Sequence, residues 1–93
     1  MTGERFESVW DAIEDDPAIV ENLKLRSSLM LALTRHIQKE GWTQAHAAEA
    51  LGVSQPRVSN LMRGKIGAFS LDLLVKMAVA VGLRVTMRLT KAA

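Results

Sequence analysis

From Ser54 to Lys65 the chain carries Ser54, Gln55, Arg57, Ser59, Asn60, Arg63 and Lys65, with no acidic residue among them. Those side chains suit one kind of chemistry. The amides of Gln and Asn pair bidentately with an adenine edge, and a guanidinium pairs with the O6 and N7 of guanine. Lysine and arginine also neutralise phosphates, and nothing in this stretch would repel them. Other chemistries find less support. The chain has no cysteine, which excludes disulfides and thiolate metal sites. His36 and His46 are its only histidines, and no third ligand or nucleophile accompanies them. No glycine-rich phosphate loop or Ser/His/Asp arrangement stands out. The expectation is a protein that is not an enzyme, with no cofactor and no metal.

Such side chains are useful only if an element holds them in register. Thr43 is placed to cap a helix over about 44–51, which Gly52 ends, and Ser54 to cap another over about 55–63. Pro56 is tolerated in a first turn, where its missing N–H is not needed. Ala47, Leu51, Val53, Val58 and Leu61 fall where each faces a common core, and Ala48 is small where the second helix crosses. Gly52 sits where the turn calls for a positive φ. The spacing predicts two short helices at a steep angle, the second laid in a major groove with its N-terminal side chains on base edges. A plain helical hairpin in a core is the alternative. Gln44, at the start of the first helix, and Lys65, just past Gly64, are placed for backbone phosphates.

The flanking sequence predicts the support. Asp16-Pro17 is a helix start, and Ile19, Leu23, Met30, Leu33 and Ile37 recur at helical spacing up to Gly41. One long helix over about 17–40 is expected. Arg26 interrupts its apolar stripe, and Ser27-Ser28 is a place where it could break. Ser70 caps a further helix over about 71–81, with Leu71, Leu74, Met77, Ala78 and Val81 on one face. A short turn through Val9, Trp10 and Ile13 follows Ser8. Trp42 and the helically spaced methionines are expected in packing. Leu83, Val85, Met87 and Leu89 then alternate with Arg84, Thr86, Arg88 and Thr90, the pattern of a half-buried strand.

A strand needs a neighbour, because its N–H and C=O groups must be paired if buried. The simplest neighbour is the same strand of a second copy about a twofold axis, making Leu83, Val85, Met87 and Leu89 dimerisation residues. Pairing with the N-terminal segment of the same chain is the alternative. Two recognition helices about 34 Å apart would read an inverted repeat.

The charge is uneven. Residues 1–22 hold seven acids against Arg5, a net −6, whereas residues 23–93 hold eleven bases against three acids, a net +8. A basic body suits a polyanion such as double-stranded DNA. The acidic stretch is either a solvated tail or, through Phe6, Val9, Trp10 and Ile13, a docking segment for a basic protein. Its start shows no signal-peptide pattern, and no apolar run approaches the roughly 20 residues that cross a bilayer. A cytoplasmic protein without membrane contact is expected.

The stretch TQAHAAEALGVSQPRVSNLMRGK, Thr43 to Lys65, resembles the helix-turn-helix of the Xre/Cro family of repressors, and the likeness extends through FSLDLLVKMAVAVGL. Over about residues 17–90 the chain looks like small regulators that include HigA-type antitoxins. The resemblance implies an all-α, lambda-repressor-like bundle of about five helices, with the C-terminal strand pairing across a dimer. It implies phosphate contact at Gln44 and base reading from Gln55 and Arg57, followed by Ser59 and Asn60. Pro56 departs from the family, where a second base-reading side chain is common. The organisation expected is an acidic segment (1–16), a DNA-binding domain (17–82) and a dimerisation strand with a tail (83–93). The function implied is autoregulatory repression by a dimer on double-stranded DNA. The alternative is an antitoxin whose main task is neutralising a basic, RelE/HigB-like toxin.

Overall fold

A computed structural model describes residues 16–92. The first helix, α1 (Pro17–Glu40), starts where Asp16 adopts an extended backbone and its carboxylate accepts from the Ala18 N–H at 2.9 Å. Pro17 occupies the first position, where no amide donor is missed. The helix runs unbroken through Ser27-Ser28: after them Met30, Leu33 and Ile37 are buried in the core, and before them Arg26 donates to the carbonyls of Ile66 and Phe69. Met30, Leu33 and Ile37 are buried at successive turns, whereas the earlier Ile19 is exposed. Gly41 ends the helix.

The next three elements follow from their caps. Thr43 Oγ1 accepts from the His46 N–H at 3.1 Å and starts α2 (Gln44–Leu51). Ser54 Oγ accepts from the Arg57 N–H at 3.2 Å and starts α3 (Gln55–Met62). Ser70 Oγ accepts from the Leu73 N–H at 3.2 Å and starts α4 (Leu71–Ala80). Between α2 and α3, Gly52 stands at φ 72°, in the left-handed region where a side chain is strained. Between α3 and α4 the connection forms a 3-10 turn, Ile66–Ala68.

The α2–α3 pair packs as one unit, and α1 runs along α4 behind it. Ala47 and Leu51 from α2 and Val58 and Leu61 from α3 meet Met30, Leu33 and Ile37 of α1. Phe69, Leu74, Met77 and Ala78 close the same core, with Ala48 and Val53 partly buried at its edge. No helix among the described residues is long and apolar enough to cross a membrane.

Two expectations need correction. Four α-helices and one 3-10 turn lie among the described residues, where about five helices were expected; the short turn expected at Val9–Ile13 lies outside them. The strand expected over 83–90 is not formed: no strand occurs among the described residues. Leu83 alone of its apolar set packs against the core, while Met87 and Leu89 stand 70% and 91% exposed. The reason is physical. An amphipathic stretch becomes a strand only when a neighbour completes the ladder, and no described segment offers one.

Candidate nucleic-acid interface

Helix α3 is short, and its two faces are sharply different. Val58 and Leu61 are buried, and they fix which way the rest points. Ser59, Asn60 and Arg63 fall on the opposite side, and Gln55 stands at its edge in the first turn. Gln55 and Arg63 are exposed, and Ser59 and Asn60 are half-buried. Arg63 Nη2 lies 3.4 Å from Asn60 Oδ1, a long contact that a base edge could replace. Pro56 is exposed in the first turn, so the outward face offers no donor at that position.

The remaining predicted residues sit around this face. Gln44 is the exposed first residue of α2, where free amide groups gather at the helix N-terminus. Lys65 is exposed immediately after Gly64, which turns the chain out of α3 at φ 70°. Ser54 is exposed, but its hydroxyl oxygen is engaged as the cap of α3. Among the described residues no carboxylate pairs with these cations. The one ion pair among the described residues is Lys24–Glu21 at 3.5 Å, in the first two turns of α1 and largely in solvent. Among those residues the face therefore presents positive charge without a paired carboxylate.

Arg57 stands apart from the other predicted readers. It lies one turn before Leu61 on the same side of α3, so it leaves the helix toward the core. Its Nη1 donates to the Ala68 carbonyl at 2.7 Å, and its guanidinium carbon lies 5.7 Å from the centre of the Phe69 ring. The spacing from Leu61 was only a partial signal for this. Arg26 was visible only as a break in an apolar stripe. Its Nη1 donates to the carbonyls of Ile66 and Phe69, each at 3.2 Å, and its Nε donates to Asn22 Oδ1 at 2.7 Å. An arginine at a half-buried position must find acceptors, and that requirement was the signal.

Trp42 packs partly against the core and lies between two histidines. Its ring centre is 5.4 Å from that of His36, edge-on, and 5.1 Å from that of His46. The trio anchors the entry to α2, beside Gln44. Among the described residues no three His, Asp or Glu side chains gather as a metal site would require.

A family described as a helix-turn-helix domain matches residues 12–90. No curated protein matches the chain.

Proposed function

The chain belongs to this family of helix-turn-helix domains, and from that premise we propose that it is a dimeric, sequence-specific regulator of transcription on double-stranded DNA. The observation that carries the reading is the acid-free outward face of α3. That face offers Gln55, Ser59, Asn60 and Arg63 to base edges, and the exposed Gln44, Ser54 and Lys65 around it suit backbone phosphates. Autoregulatory repression, of the kind known from the Xre/Cro regulators, is the form this takes.

Dimerisation is supported by the C-terminal stretch. Residues 83–90 hold an alternating pattern without a ladder, and Val85, Met87 and Leu89 expose apolar surface. Val75 and Val79 on α4 add to the exposed apolar set. A matching stretch from a second copy would satisfy both the backbone and the apolar groups. Residues 17–82 then act as the reading domain and 83–93 as the dimerisation arm.

The acidic residues before α1 support a second reading, neutralisation of a basic toxin, since they offer charge complementarity that DNA binding does not use. The two tasks are compatible. Deleting residues 1–15 would abolish toxin binding and spare DNA binding if that stretch is the docking segment.

Selection of duplexes from a random pool at near-physiological salt tests the main reading. An enriched inverted repeat supports both specific reading and a twofold dimer. A folded protein that enriches nothing would overturn it.

A further inference from the structure

We propose that Arg57 is a positioning residue of the recognition helix, acting with Arg26 to fix the rotation of α3, and does not itself read a base. The proposal rests on the DNA-reading function above and concerns how that reading becomes precise. Helix α3 buries only Val58 and Leu61 of its own residues, and both lie on one side. Two such anchors hold a short helix down but resist rotation about its axis weakly. Rotation matters here, because hydrogen bonds to base edges tolerate donor–acceptor distances of only about 2.7–3.2 Å.

The two arginines supply the missing restraint. Arg57 reaches from the flank of α3 to the Ala68 carbonyl, and Arg26 reaches from α1 to the carbonyls of Ile66 and Phe69. Three carbonyls of one connection are thus held by guanidinium N–H groups from two different helices. The Arg57 guanidinium also makes a cation–π contact with the ring of Phe69, itself only 2% exposed, at 5.7 Å from its centre. The concavity that both arginines border is lined by Asn22, Ser70, Leu71 and other neutral residues, with no carboxylate to draw either away. Recognition helix, long helix and the 66–69 connection are therefore tied at one point.

The test is a panel of single base-pair changes in the duplex enriched by the wild-type protein. It is measured with wild type, Arg57→Ala, Arg57→Lys and Arg26→Ala, alongside thermal unfolding of each free protein. In the wild type each mismatch within the site should cost about ten-fold in affinity. Positioning predicts that Arg57→Ala and Arg26→Ala both shrink these penalties several-fold at all positions read by α3, and both lower the unfolding temperature. Arg26 is not on α3, so a pattern shared by the two variants is one that base reading cannot produce. Arg57→Lys keeps the charge without the planar fork and should recover only part of the discrimination, a readout available even if Arg57→Ala fails to fold. Relaxation at a single base pair in Arg57→Ala would overturn the proposal in favour of direct reading. A uniform loss with the salt slope reduced by about one per copy would overturn it in favour of a phosphate contact. If the wild type enriches no duplex, the failure lies with DNA reading itself.

Discussion

At the scale of single residues, the recognition surface divides by what each side chain is free to do. Lys65 is exposed and makes no side-chain hydrogen bond or ion pair among the described residues, which suits its ammonium to a phosphate. Lys65→Ala should weaken binding to every duplex by a similar factor and lower the slope of log K against log salt by about one per copy, measured in a salt series. Ser54 differs, since its oxygen already caps α3; its loss costs helix stability as well as any contact to DNA. The outward direction of Ser59 was legible through its spacing from Val58 and Leu61, but spacing alone did not separate Arg57, one turn before Leu61, from Gln55, one turn before Val58. What the sequence did not contain is the destination of Arg57. That carbonyl belongs to a 3-10 turn whose three residues leave no periodic pattern to detect.

At the scale of elements, the helix-turn-helix is held by a buried seam and one left-handed glycine. Gly52 has open space where a Cβ would stand, so a side chain there meets only backbone strain. Gly52→Ala should cost about 1–2 kcal/mol, whereas Leu61→Ala, which empties a fully buried site, should cost about 2–5 kcal/mol. Denaturant unfolding of both variants checks the order as well as the size. The helix starts were readable because Asp16, Thr43, Ser54 and Ser70 each stand directly before an amphipathic run, and each accepts the expected amide. Ser27-Ser28 misled as a possible break, because interior serines weaken a helix only slightly and no proline or glycine interrupts the run. The segment 83–90 misled for the opposite reason. Its alternation is real, but a strand is a property of at least two segments, and a periodic sequence specifies only one.

At the scale of the whole molecule, one recognition helix contacts a few base pairs, and two held rigidly read a full site. The exposed Met87 and Leu89 are where a second copy would attach. Met87→Glu placed on that surface should shift the protein toward monomer in sedimentation equilibrium while leaving the helical core folded. It should also weaken binding to the full inverted repeat far more than to a half-site. A variant that remains dimeric would move the interface elsewhere, with the exposed face of α4 at Val75 and Val79 the next place to look. Such a dimer sets two basic faces toward the duplex, so binding should fall steeply with salt.

The central claim is that the outward face of α3 reads bases, and Gln55→Ala tests it most directly. Gln55 is exposed at the start of α3 and makes no side-chain hydrogen bond among the described residues, so its loss should leave the fold intact. Measured against every single base-pair change in the enriched duplex, the variant should lose about 1–3 kcal/mol of discrimination at one symmetric pair of positions and keep the rest. An equal loss on all duplexes, or an unchanged preference at every position, would contradict the account.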